Sequence, residues 1–292
     1  MPAAGAGAVG RSVTAPGEVT ALAFDGAWVA YASGRSRGDC DRVRVWNLRT
    51  GRVAALGRTT SCVQTSTGTA IAAVSAAGPR VVWLHYTGGN IREWSLFTAT
   101  VVSPRPRRLS FVARSADAPA PIVLGEGDSR AGGLLPYAVD RRVVVLRADG
   151  TRSFSWTAPE RVTAVGVRGT VLAVALADGR IVARDLAQGP AREIAGTVPA
   201  TAVFVTGAGI AAQRGRTVEL YRPGGAPATT LPVGATLRDA DGLRAVYTVR
   251  GRVKQLGLVT PFTRDLGAGD YAQLEAATVA VAEGRLVRVS TR

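Results

Sequence analysis

The feature that most constrains this chain is an internal repeat. Short apolar runs, each closed by Gly, Asp-Gly, Gly-Arg or Pro, follow one another in groups of four, and the group returns about every 40 residues. The clearest unit, Val162 to Gly196, reads VTAVGVRG, VLAVALADG, IVARDLAQG and AREIAG. Ala200 to Gly234 repeats it as TAVFVTGAG, IAAQRG, TVELYRPGG and ATTLPVG, and Ala235 to Gly269 as ATLRDADG, RAVYTVRG, RVKQLGLVT and FTRDLGAG. Every run is too short for a helix and reads as a strand with a turn after it. Three looser units precede these, at Val19 to Arg58, Ala70 to Val112 and Pro121 to Thr157, the first with an insertion at Arg35 to Arg42 and the third with a Gly-rich connection at Glu126 to Gly133.

Four short antiparallel strands per period are the signature of propeller blades. The last piece, Tyr271 to Arg292, has room for three strands, YAQLEAA, TVAVAEG and RLVRVS. A fourth is available in Gly10 to Ala15, GRSVTA, which has no partner of its own. Joining the two closes a ring and hides sheet edges that would otherwise recruit other chains. The expectation is therefore an all-β chain forming a single β-propeller over residues 10–292, with seven four-stranded blades and an N-terminal strand completing the C-terminal blade. A length of 292 residues, 47% hydrophobic and 20% charged, suits one large all-β domain with an extensive core. Residues 1–9, Met-Pro-Ala-Ala-Gly-Ala-Gly-Ala-Val, read either as a flexible terminus or as the remnant of an export signal.

The third strand of the first unit, Val43-Arg-Val-Trp-Asn-Leu-Arg-Thr-Gly51, resembles the Trp-Asp strand of WD40 repeats, with Asn47 in the aspartate position. Ile181 to Gly189 keeps Asp185 and Leu186 but has Arg184 where Trp would stand, and Ile91 to Thr98 keeps Trp94 followed by Ser95. No Gly-His dipeptide precedes these strands, so the His-Asp network of that family is absent. In strand pattern the chain resembles a divergent bacterial WD40-like or TolB-like propeller. That resemblance implies an interaction platform.

The formal net charge is +15, and Lys254 is the only lysine. The arginines are spread from Arg11 to Arg292, which does not favour nucleic acid as a partner. Only Arg105, Arg107 and Arg108 crowd together, in Ser-Pro-Arg-Pro-Arg-Arg, which reads as a solvated loop beside a strand. No apolar run reaches 18 residues, so no helix can span a bilayer.

Catalytic signals are sparse. His85 is the single histidine and sits between apolar neighbours on a predicted strand, which favours a structural role, and one His excludes the commonest zinc sets. There is no Gly-x-Ser-x-Gly elbow and no Walker-type loop. Asp39 and Asp41 flank Cys40, and Glu126 and Asp128 alternate in Gly-Glu-Gly-Asp-Ser; without calcium-loop spacing, all four read as turn formers. No metal or other cofactor is expected.

The two cysteines carry a sharper expectation. Cys40 lies between the second and third strands of the first blade, and Cys62 in the connection to the next blade. Those loop types emerge on one face of a propeller, so a Cys40–Cys62 disulfide is geometrically feasible and worth roughly 3 kcal/mol in the chain-entropy picture. Such a bridge belongs to an oxidising compartment. Of the aromatics Trp83, Tyr86, Trp94, Phe97 and Trp156, most are assigned to packing, while Tyr86, Asn90 and Arg92 surround a loop on that same face and form a candidate contact surface. The reading is a non-enzymatic binding propeller, monomeric and extracytoplasmic, that presents loops to a protein, peptide or glycan. The alternatives are a hydrolase or lyase using Asp39, Asp41, Glu126 or Asp128, and a cytoplasmic scaffold.

Overall fold

A computed structural model describes residues 10–33, 42–57, 68–187 and 189–291. It contains seven four-stranded antiparallel sheets. Blade 1 comprises Val19–Asp25, Trp28–Ser33, Arg42–Asn47 and Val53–Gly57. Blade 2 comprises Thr69–Ala77, Arg80–Gly88, Ile91–Thr100 and Arg107–Ser115. Blade 3 has Ile122–Leu124, Leu134–Val139, Arg142–Arg147 and Arg152–Thr157, and blade 4 has Val162–Arg168, Val171–Leu176, Ile181–Asp185 and Arg192–Ile194. Blade 5 has Ala200–Thr206, Gly209–Arg214, Thr217–Tyr221 and Ala228–Thr230, and blade 6 has Thr236–Asp241, Arg244–Val249, Arg252–Gly257 and Thr263–Ala268.

Blade 7 is built from both ends of the chain. Tyr271–Glu275, Thr278–Glu283 and Leu286–Thr291 form its first three strands, and Arg11–Thr14 pairs antiparallel with the last of them as the outer strand. The inner strand of each blade packs on the inner strands of both neighbours, blade 7 against blade 1 included, so the ring is closed. This is a seven-bladed β-propeller, as the repeat requires.

Alternation along each strand sends side chains into the two flanking inter-blade spaces, and small β-branched and Ala residues fill them. Val29, Tyr31, Trp46, Ala280 and Val287 pack between blades 7 and 1; Leu84, Leu96, Leu135 and Val144 pack between blades 2 and 3. The Asp or Asn that closes a third strand caps the following turn. Asn47 Oδ1 accepts the amides of Arg49 and Thr50 at 2.8 and 3.1 Å, and Asp185 Oδ1 accepts that of Ala187 at 2.9 Å. The Trp94, Trp83 and Phe97 side chains are buried, as expected for packing aromatics.

The Gly-rich connection of blade 3 contains a single 3₁₀ turn, Arg130–Gly132, after an inner strand that ends at Leu124. Arg107 and Arg108 open the outer strand of blade 2, where the repeat places RRLSFV, and do not form the solvated loop that the adjoining prolines suggest, because the ladder with Ile91–Thr100 continues to Thr98 opposite Arg107. Cys40, Cys62, Asp39 and Asp41 lie outside the described residues.

Candidate functional site

The candidate contact surface is the far end of blade 2. Its strands run 9, 9, 10 and 9 residues, against 6 or fewer for all but the inner strands of blades 1, 4 and 5. The turn between its first and second strands is held level with that of blade 1, where Asp25 accepts the Gly78 amide, so the extra length projects on the opposite face, by roughly 10 Å for three residues. The turn at Gly89-Asn90 is held by the inter-blade connection, whose Ala116 amide donates to the Asn90 carbonyl at 2.8 Å. This confirms that the two loop types share one face.

Tyr86 and Arg92 come together here, while Asn90 stands apart from them at the tip of the turn. Tyr86 pairs with Trp94 across the hairpin, rings 5.4 Å apart, and the Arg92 guanidinium lies 5.0 Å above the Tyr86 ring. Tyr86 and Arg92 are half-buried by this stack, while Asn90 is exposed. Sequence reasoning missed two exposed apolar residues on the opposite face of the same hairpin, Ile91 at 62% and Phe111 at 46% exposure. Exposed apolar residues on a projecting hairpin that also carries an ordered aromatic and cation stack are what an interface presents before its partner arrives. His85 is buried deeper in the same blade, between Ile71 and Ser95.

The second constellation lies at the other end of the central channel, a cavity of about 420 Å³ lined by inner strands of six blades. Six carboxylates converge there: Asp25, Glu126, Asp128, Asp239, Asp241 and Glu275. Most latch one blade to the next. Asp25 accepts the amide of Gly78 in blade 2 at 2.5 Å, and the Ser129 amide and hydroxyl at 3.1 and 2.9 Å. Asp128 accepts the amide of Gly169 in blade 4 at 2.7 Å, Asp241 that of Ala276 in blade 7 at 2.6 Å, and Glu275 that of Gly26 in blade 1. Arg168 pairs with Asp241, and Arg130 with Glu275 at 3.3 Å.

Glu126 and Asp239 differ from the other four, because their side chains hydrogen-bond to each other. Burial, reinforced by the Asp239 charge, pushes the Glu126 carboxyl well above the usual carboxylate range. Burial also raises Asp239 to about 7, against the opposing pull of the amides of Leu274 and Ala240 at 2.6 and 2.5 Å. Burial raises Asp25 and Glu275 as well.

The expectation that Glu126 and Asp128 merely form a turn is thus corrected. Asp128 does accept the Arg130 amide of its own turn at 3.0 Å, but ring closure aims both side chains at the hub. Their partners Asp25, Asp241 and Glu275 went unnoticed; the signal was an acid closing the inner strand at the same position in blades 1, 6 and 7. His85 is not part of this hub. It stands opposite Ile71, five residues up the strand from Ala76 at the Gly127 contact, or roughly 16 Å away.

No protein-family model matches the chain, and no curated protein matches it in sequence. Solved structures do. The chain is similar to Raptor of Chaetomium thermophilum at 13% identity and a TM-score of 0.62, covering 96% of this chain and 28% of that one. A chain of the mitotic checkpoint complex matches at 16% identity and a TM-score of 0.62, over 97% of this chain and 91% of that one. The computationally designed Ika8 protein matches at 15% identity and a TM-score of 0.55, over 96% and 99%. These likenesses concern the fold: the protein belongs, in architecture, with seven-bladed propellers.

Proposed function

We propose that this protein is a non-enzymatic binding propeller that works outside the cytoplasm and offers the projecting end of blade 2 to a protein or peptide. The observation that carries this reading is the projecting hairpin of blade 2, the one blade that outgrows the ring, which exposes Ile91 and Phe111 on one face and orders the Arg92–Tyr86–Trp94 stack on the other. The mitotic checkpoint complex, an assembly by its name, contains a chain of this fold, which accords with a platform role. The extracytoplasmic part rests on the Cys40–Cys62 pairing expected from the sequence. Intact mass of protein from its native cells tests it: two alkylations that appear only after reduction support the bridge, and two without reduction reject it.

The contact surface is tested by placing a photo-crosslinking residue at position 91 in the native host. A discrete adduct that disappears when Asn90 and Phe111 become alanine, with the melting temperature held, supports the surface. An adduct pattern unchanged by those substitutions, or no adduct at all, rejects it.

A carboxylate-dependent hydrolase or lyase is the second reading, and the observation favouring it is the Glu126–Asp239 pair at the channel, in which burial raises Glu126 well above the usual carboxylate range and Asp239 to about 7. The other hub carboxylates are satisfied by backbone amides and guanidinium groups, which is the arrangement of a structural latch. An activity abolished by Glu126→Gln in a folded protein would move the assignment to this reading.

A further inference from the structure

Blades 2 and 3 diverge toward the rim, as twisted sheets must, and leave a cleft of about 380 Å³ between them. Its floor is apolar: Tyr137, Val144 and Leu146 are buried, and Leu109 is half-buried. Its walls carry four arginines from three strands, Arg107 and Arg108 on blade 2 and Arg142 and Arg152 on blade 3.

The cleft has a fixed width. Arg107 Nη2 donates to the Gly150 carbonyl at 2.9 Å, and Arg80 Nε donates to that of Ala148, so the hairpin of blade 3 is clamped to blade 2. The nearby carboxylates are otherwise engaged. Asp149 accepts the amide and hydroxyl of Thr151 at 2.7 and 2.6 Å, and Asp140 pairs with Arg114 at 2.9 Å. Arg107, Arg142 and Arg152 have no carboxylate partner among the described residues, while Arg108, opposite Phe97, turns its guanidinium to the Phe111 ring 5.3 Å away on the blade 1 side of the sheet. The phenol of Tyr137 faces Arg142, Arg152 and Arg107 from the floor.

Several guanidinium groups around one enclosed space repel each other, and a multiply charged anion removes that repulsion while taking up their planar donor forks. We propose that the cleft between blades 2 and 3 binds a compact polyphosphate, two or three linked phosphates held by Arg107, Arg142 and Arg152 with Tyr137 beneath them. The site is separate from the projecting end of blade 2 and does not depend on a protein partner being found there.

Calorimetric titration with inorganic tripolyphosphate tests the proposal, with orthophosphate and ATP run beside it. Saturable binding of one tripolyphosphate per chain is expected, with orthophosphate weaker. ATP binding as tightly as tripolyphosphate points to a nucleotide source, and ATP binding weakly points to an inorganic one. Arg142→Glu/Arg152→Glu should lower tripolyphosphate affinity by about a hundredfold. The control Arg49→Glu/Arg264→Glu makes the same change in net charge on exposed residues elsewhere and should lower it by about twofold. Arg142→Gln/Arg152→Gln repeats the test without charge reversal, should the first double variant unfold. Equal losses in the cleft and control variants, or no saturable binding to the wild type, would overturn the site and leave only attraction to a basic protein.

Discussion

Ala276 adopts φ 50° at a turn where blades 1, 2, 4 and 6 place Gly26, Gly78, Gly169 and Gly242 at φ 60°, 58°, 55° and 59°. The left-handed region costs a residue with a Cβ about 1 kcal/mol, and the Ala276 amide is held there by Asp241. Ala276→Gly should therefore raise stability by about 0.5–1 kcal/mol, read as a higher denaturation midpoint at unchanged slope. Gly127 makes the opposite case. A Cβ there would overlap the carbonyl oxygen of Ala76, because the innermost segment of blade 3 passes directly against blade 2. Gly127→Ala should cost about 2–3 kcal/mol by overpacking, whereas Gly10→Ala, which meets only the Val289 carbonyl at 3.8 Å, should be silent in the same thermal melts. At this scale the sequence was legible where a residue acts on its own turn: Asp128, read as a turn former, accepts the Arg130 amide two residues on. It was opaque wherever the partner is distant. Nothing near Glu126 announces Asp239, since only the closed ring brings them together.

Strands and blades were the most readable level. The repeat placed nearly every strand within two or three residues, because each apolar run ends at a turn residue whose local chemistry is sufficient to stop it. Where local and repeat signals conflict, tertiary pairing decides: Arg107 and Arg108 follow two prolines and look like loop, the repeat reads RRLSFV as a strand, and the long third strand of blade 2 holds them in its ladder. Arginine also replaces expected aromatics. Arg184 stands where a Trp-Asp strand would have Trp, and its guanidinium lies 5.2 Å from the ring of Trp156 and 5.7 Å from that of Phe154, joining blade 4 to blade 3. Arg238 lies 5.1 Å from the Tyr271 ring and does the same for blades 6 and 7. Such contacts are worth about 0.5–2 kcal/mol each, so Arg184→Ala should destabilise within that range while Arg184→Lys recovers only part of it, as chemical denaturation would show. Much of the basic composition thus has a structural use between blades.

At the level of the whole molecule, an excess of positive charge surrounds a hub of six carboxylates. Asp25, Glu126, Asp239 and Glu275 all bind their protons more tightly when folded than when unfolded. Their contribution to stability is full below the unfolded carboxylate range near pH 4 and is lost as pH rises through the folded values, about 7 for Asp239. The melting temperature should consequently fall between about pH 5 and pH 8, and Glu126→Gln, which donates to Asp239 without titrating, should flatten that fall. A profile equally steep in the variant would show that the hub pair does not set it. The outer strand of blade 7 has a different global effect. Residues 11–14 find their hydrogen-bonding partners only at residues 286–289, so the first strand of the ring to leave the ribosome stays unpaired until the last strand of the ring has been made. Blades 1 to 6 can assemble in order as they emerge, but blade 7 waits for the strand at Leu286–Thr291. Through that interval Arg11–Thr14 is a strand without its ladder, open to recruitment by other chains.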